Sequence, residues 1–274
     1  MRGGAGRVAF WGLAGLLLAW SLGPFLWFLL TSLKTPLEVT AMPPTPWPSG
    51  SLDFYRAAFG RHDLLGFILN SAVVAGGSTL ISLGLACLAG YALARLPLPG
   101  RGWIMAGLLL VGMFPQVALA GPVWEILRGL GWLNTYPGLI LPYVTLTLPL
   151  AVWVLTAFFR GLPAELEEAA LCDGCGRLQA FTRVVLPLAA PGVFTAAILV
   201  FIYAWNEFFF ALLIMTDRAR QTLPVGIALF QGQYTMPWGE IAAASVVATL
   251  PLVLLVLLFQ RRIARGLTAG AVKG

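Results

Sequence analysis

Charge is the first thing this sequence lacks. Only 10% of its 274 residues are Asp, Glu, Lys or Arg, against about 25% in a soluble globular domain, which excludes a water-exposed fold. Lysine is reduced to Lys34 and Lys273. With no G-x-x-x-x-G-K-[ST] run, the chain has no P-loop of its own for a nucleotide. The one histidine, His62, stands beside Asp63 with no partner at a catalytic or metal-binding spacing, leaving neither a zinc site nor an activated nucleophile. Of three cysteines, Cys87 lies in an apolar run. Cys172 and Cys175 form a C-x-x-C without further ligands or thioredoxin-like surroundings, and read as small packing side chains. There is no nucleophile elbow and no pair of acids inside an apolar run. An enzyme has no residues to stand on here, and no metal or cofactor site is expected. In so apolar a chain the net charge of +6 points to orientation across a membrane and needs no nucleic acid to explain it.

What the chain has in quantity is apolar length. It is 59% hydrophobic, with a mean hydropathy of +0.87. A helix needs about 20 apolar residues to cross a bilayer, and six stretches qualify: 8–33, 64–94, 102–124, 138–159, 192–215 and 241–260. The expected fold is an all-α polytopic membrane protein of six transmembrane helices, one domain over 1–274, with no internal repeat. The run from Val8 to Leu33 carries no charge. It is too long for a signal core and no A-x-A site follows, so it reads as an uncleaved first span. Met42-Pro43-Pro44-Thr45-Pro46-Trp47-Pro48 reads as a stiff connector. Residues 221–239 also lack charge, but Gln221, Gln231, Gln233, Pro224 and Pro237 argue for a partly buried outer loop. With both termini assigned to the cytoplasm, eleven of the 17 Lys and Arg residues fall on that side and six outside, the bias of the positive-inside rule. Trp11, Trp27, Trp103 and Trp124 sit near span ends, as an interfacial belt would. Ala86 and Gly90 form a small-xxx-small pair suited to close helix approach.

The most polar interior stretch, about 163–187, separates the fourth and fifth spans and falls on the cytoplasmic side. Its sequence predicts two short helices with a break. Glu165, Glu167 and Glu168 crowd the first turn of a helix starting near Pro163, where the helix dipole favours negative charge. Gly174 suits a left-handed C-cap. Leu178, Phe181 and Val185 recur at helical spacing and predict one apolar face. Pro187 and Pro191 mark kinks or boundaries. Such a hairpin has no core of its own and calls for something to dock against.

One carboxylate falls inside an apolar span: Glu207, in Tyr203-Ala204-Trp205-Asn206-Glu207-Phe208. An intramembrane acid is costly and marks a functional candidate. On a continuous helix Tyr203 shares its face and Asn206 does not. Three readings stay open: a polar wall of a solute path, an interhelical hydrogen bond, or a carboxylate close enough to the interface to stay wet.

These residues carry a resemblance. Glu168-Ala169-Ala170, then Asp173-Gly174, then Leu186-Pro187 is similar to the cytoplasmic coupling loop of ABC importer permeases. Asn70-Ser71-Ala72-Val73-Val74, Gly90-Tyr91-Ala92-Leu93-Ala94-Arg95-Leu96, Met113-Phe114-Pro115, Trp205-Asn206-Glu207-Phe208, Thr222-Leu223-Pro224-Val225-Gly226 and the ending Leu267-Thr268-Ala269-Gly270-Ala271-Val272-Lys273-Gly274 extend the likeness over nearly the whole chain. It most resembles the smaller, MalG-like permease subunit of maltose/trehalose-type carbohydrate importers. The resemblance implies the type I importer permease fold in a bacterial or archaeal cytoplasmic membrane. It implies a second homologous permease, two ATPase subunits that bind the ATP, and an extracytoplasmic sugar-binding protein. It also implies a coupling role for Glu168, Ala169, Ala170, Asp173, Gly174, Leu186 and Pro187, and an outer loop, 217–239, that reaches the binding protein. By the same likeness Thr268, Ala269, Gly270 and Lys273 form a tail against the ATPases. Tyr203, Asn206 and Glu207 remain candidates for the substrate path; in maltose importers the sugar site lies mainly on the other permease. The implied cargo is a disaccharide or malto-oligosaccharide. The alternatives are another solute such as glycerol phosphate, or a secondary transporter with no ATPase partner.

Overall fold

A computed structural model describes residues 3–230 and 236–269. Among them every regular element is helical: α1 Gly3–Ser32, α2 Pro36–Thr40, α3 Asp53–Arg61, α4 Leu64–Arg95, α5 Arg101–Met113, α6 Gln116–Gly129, α7 Tyr136–Gly161, α8 Glu165–Cys172, α9 Arg177–Ala180, α10 Leu186–Leu188, α11 Ala190–Asn206, α12 Phe209–Ile214, α13 Leu223–Ala228 and α14 Trp238–Ala269. Four are long and apolar enough to cross a membrane: α1 from Phe10, α4, α7, and α14 as far as Gln260. Two bent pairs raise the number to as many as six.

Two of the expected straight spans are broken. The stretch 102–124 is not one helix: α5 and α6 meet at 90°. Pro115 explains the break, because its ring excludes the residue before it from helical space, and Phe114 is accordingly extended at φ −68°, ψ 134°. The stretch 192–215 is likewise interrupted, since α11 ends at Asn206, Glu207 is extended (ψ 129°), and α12 starts at Phe209. A 75° bend also separates 177–188 from α11.

The chain forms two compact units. The first takes residues 1–66 and 223–251. In α1 no residue of the apolar window is buried, so this helix is finished by lipid or by another subunit. The outer loop that follows was expected only as a connector, yet it holds two short helices. Thr35 and Glu38 form a capping box at α2 with Pro36 at the first position, the S/T-x-x-E signature. The Glu38 carboxylate accepts from the Thr35 N–H at 2.7 Å and the Ser49 hydroxyl at 3.0 Å; the first of these bonds does most to hold its pKa below the usual carboxylate value. In the same unit the His62 Nε2 lies 2.5 Å from Glu240 Oε2, and the imidazole stacks on Phe230 at 3.9 Å.

The second unit takes residues 67–222 and 252–274 and holds the main core, built from α4, α7, α11 and the 181–189 segment. Helices approach closely here because small residues allow it. A Cβ on Gly90 would lie 3.2 Å from the Leu155 Cβ and the Thr156 nitrogen, so α4 meets α7 there. Ser82 and Thr147 hydrogen-bond across the same pair at 2.8 Å, buried. On Gly192 a Cβ would overlap the Phe158 ring, which seats α11 against α7. Asn70 ties down the 217–221 loop base, its amide donating to the carbonyls of Ala219 (3.0 Å) and Gln221 (2.8 Å) and accepting from the Tyr136 hydroxyl (2.7 Å).

Candidate functional site

Two places in the second unit collect the polar groups that apolar helices would otherwise avoid. The first is the hairpin. Here α8 ends in a Schellman turn: Gly174 has φ +88°, its N–H donates to Leu171 O at 3.1 Å, and the Cys175 N–H reaches back to Ala170 O at 3.0 Å. The chain then runs through α9, a π turn at Phe181–Val185, and α10. Pro187 has no N–H and its ring would strike the carbonyl four residues back. The widened turn just before it accommodates that conflict, with Leu186 N bonding to Phe181 O.

The hairpin is clamped to the membrane helices. The Tyr91 hydroxyl on α4 donates to Glu167 Oε1 at 2.5 Å. Arg95 donates to Leu162 O at 2.6 Å and lies 3.6 Å from Glu167 Oε2. A hydrogen bond to an ionised group is worth about 1.5–3 kcal/mol, and these bonds are only partly exposed. Beneath them Tyr91, Phe159 and Phe181 form a ring cluster with centroids 4.7–6.1 Å apart. Glu167 therefore faces inward, whereas Glu165, Glu168, Ala169, Leu171, Cys172, Asp173 and Gly174 face out. The acids were legible in sequence; which one turns inward was not.

Of the remaining coupling candidates, Pro187 is exposed and Ala170 is buried, so Ala170 supports the turn from below. Leu186 lines an apolar cavity of about 450 Å³ with Leu83, Cys87, Phe181 and Phe194. The expected apolar face holds for Phe181 and Val185, at 4% and 3% exposure, but not for Leu178, which is 68% exposed. Leu178 sits in the first turn of α9, beside the hairpin tip, with no core side chain above it. In the tail, Thr268 and Ala269 end α14, and Gly270 and Lys273 lie outside the described residues.

The second place is a cleft of about 440 Å³ where the two helix breaks meet, lined by Gln116, Ile202, Tyr203, Asn206, Glu207, Phe208 and Phe209. Non-helical backbone at membrane depth is tolerated only where protein or a cavity satisfies it. Glu207 performs that service. Its carboxylate accepts from the Tyr143 hydroxyl at 2.5 Å, from Phe210 N at 3.0 Å and from Ala211 N at 3.2 Å, so it holds both α7 and the start of α12. The expectation that Tyr203 and Glu207 share a helix face fails because the helix ends between them. Tyr203 instead accepts a hydrogen bond from Gln116 Nε2, at the first residue of α6. The Asn206 amide donates back to Ile202 O at 2.8 Å. Tyr143 and Gln116 were missed in sequence; the available signal for Gln116 was its place directly after Phe114-Pro115.

The family described as "Binding-protein-dependent transport system inner membrane component" matches residues 64–269, a span that takes in both the hairpin and the cleft. The chain belongs to that family. As a member it is a transport permease of the inner membrane with the ABC permease fold. The trehalose transport system permease protein SugB of Mycobacterium tuberculosis is 46% identical to it over 275 residues, 99% of this chain and 100% of the relative. The trehalose/maltose transport system permease protein MalG of Thermococcus litoralis is 44% identical over 254 residues, 92% and 91% of the two chains. The sulfoquinovosyl glycerol transport system permease protein SmoH of Agrobacterium fabrum is 47% identical over 262 residues, 95% and 92%. In three dimensions the permease resembles a chain of a bacterial ABC transporter involved in the import of the acidic polysaccharide alginate. That match has a TM-score of 0.81 and 19% identity, and covers 95% of this permease and 98% of that chain; it speaks for the fold.

Proposed function

We propose that this permease is one membrane half of an ATP-driven importer for a sugar, a disaccharide or malto-oligosaccharide. A second homologous permease supplies the other half, two ATPase subunits supply the energy, and an extracytoplasmic sugar-binding protein delivers the cargo. Both termini and the hairpin face the cytoplasm. The cargo follows from the trehalose and maltose systems named for two relatives that cover nearly the whole chain. The arrangement that carries the mechanism is the hairpin: a polar, outward-facing tip on a base locked to α4 and α7 by Tyr91, Arg95 and the ring cluster. A lever must be stiff to transmit displacement, and this one has no flexible linker between tip and spans.

In this reading closure of the ATPase dimer on ATP carries the two hairpins together. Glu168, Ala169, Asp173 and Gly174 meet the ATPase surface, Ala170 and Leu186-Pro187 keep the tip in shape, and the tail with Thr268, Ala269, Gly270 and Lys273 lies against the same partners. The displacement turns α7 and α11 and opens the path outward; hydrolysis resets it. The test is reconstitution in proteoliposomes with the partner permease, ATPase and binding protein. Labelled trehalose or maltose is expected to accumulate only with ATP and binding protein present. Accumulation driven by an ion gradient without ATP would establish a secondary transporter instead.

A further inference from the structure

We propose that Gln116 and Tyr203 are solute-contacting residues of this chain, and that two neighbouring hydroxyls of an uncharged carbohydrate replace the hydrogen bond the pair makes to itself. The inference rests on the sugar-importer reading and assigns contacts within it.

The donors and acceptors left open in the cleft point to its ligand. Gln116 spends one amide N–H on the Tyr203 oxygen. Among the described residues its Oε1 carries no bond and the Tyr203 hydroxyl proton has no acceptor. Asn206 spends an N–H on Ile202 O and leaves its Oδ1 open to the cleft. The Glu207 carboxylate is not on offer: it is 7% exposed and already accepts from Tyr143, Phe210 and Ala211. The cleft thus presents two carbonyl acceptors, the Tyr203 O–H and the second N–H of each amide, with Phe208 and Phe209 as the apolar face beside them. A hydroxyl both donates and accepts, so adjacent hydroxyls on a sugar ring satisfy an amide oxygen and a phenol together, while the ring's C–H face lies on an aromatic. A sulfonate, phosphate or carboxylate only accepts. It could accept from the N–H and O–H groups but would leave both amide oxygens without a donor, beside the Glu207 carboxylate, and no Lys or Arg lines the cleft to balance its charge. Gln116 and Tyr203 are held by different breaks, one after Phe114-Pro115 and one before Glu207, so a solute that parts them is in contact with both broken helices.

The experiment uses the assembled four-component transporter in proteoliposomes, with radiolabelled trehalose and maltose as uncharged probes and a 6-sulfonated glucoside as the anionic one. Gln116→Ala and Tyr203→Phe are each expected to lower the maximal uptake of the uncharged probe by about three- to tenfold, the range for one neutral hydrogen bond. The half-saturating concentration of loaded binding protein and the recovery of partner subunits on purification should stay the same, and Gln116→Asn should recover part of the loss. A fall in partner recovery, or a shift in half-saturation for the binding protein, would assign these residues a structural or docking role and overturn the proposal. So would full uptake by both variants; sugar import would then stand with its contacts elsewhere. Wild-type accumulation of the sulfonated probe alone would overturn the hydroxyl-pair assignment, and accumulation of none of the three would count against the sugar-importer reading itself.

Discussion

Glu207→Ala is expected to abolish uptake and to reduce the folded protein recovered in mild detergent several-fold. The carboxylate is buried at 7% exposure and accepts three hydrogen bonds. Deleting it takes the side-chain acceptor from the N–H groups of Phe210 and Ala211 and leaves the Tyr143 hydroxyl only the long 3.4 Å contact to the Glu207 carbonyl. Each buried unsatisfied donor costs about 1–3 kcal/mol, and at membrane depth no bulk water stands by to replace the lost acceptor. Glu207→Gln keeps the shape and one acceptor oxygen but turns an N–H₂ towards other donors, so it should be recovered in larger amount than the alanine variant and still transport poorly. Tyr143→Phe removes one short bond to the carboxylate and the long 3.4 Å contact to the Glu207 carbonyl, leaves the Phe210 and Ala211 bonds in place, and should be the mildest of the three. Size-exclusion profiles and uptake measured side by side would check the order; wild-type behaviour of Glu207→Ala would show that the break between α11 and α12 is held by something else.

Gly174→Asp separates transport from folding. The residue has φ +88° and nothing lies within 4 Å of where a Cβ would stand. The substitution therefore meets no neighbour in this chain, and its internal cost is the left-handed conformation, about 1–2 kcal/mol for most L-residues and less for Asp. What it changes is the outward surface of the tip, where it adds a charge between Asp173 and Cys175. The protein should remain in the membrane at near-normal amount while uptake falls at least about tenfold, equivalent to ~1.4 kcal/mol of lost coupling. ATP hydrolysis by the partners should no longer respond to loaded binding protein. Cys172→Ala with Cys175→Ala serves as the contrast, since those side chains have no metal-binding group around them among the described residues. Normal transport by Gly174→Asp would mean the tip is not where force is transmitted.

Much of this architecture was legible in the sequence because lipid imposes a strict code. An apolar run of sufficient length must be a helix, and α1, α4, α7 and α14 follow their runs. Gly174 was legible because a left-handed C-cap selects glycine. The breaks were harder. Pro115 announces one by its ring, but it lies inside an apolar run that hydropathy reads as continuous. The break at Glu207 has no proline, and is set by a carboxylate whose partners, Tyr143 and the α12 amides, lie in tertiary structure. Periodicity therefore put Tyr203 and Glu207 on one face of a helix that does not exist. The same limit applies to the hairpin: the spacing of Leu178, Phe181 and Val185 is right for one face, yet the core takes in only the last two. Nor does sequence distinguish Glu167 from Glu168, adjacent and alike in charge, although Tyr91 and Arg95 face only the first.

In the proposed mechanism the hairpin tip is a cytoplasmic foot gripping a nucleotide-driven partner. Cys172 provides a reporter, because it is exposed beside the tip whereas Cys87 and Cys175 are partly covered. In a variant keeping Cys172 alone, a membrane-impermeant maleimide should label inside-out vesicles stripped of the ATPase subunits, and labelling should fall when those subunits are added back. Labelling of intact cells from the outside, or labelling of inside-out vesicles unaffected by the ATPase subunits, would contradict it.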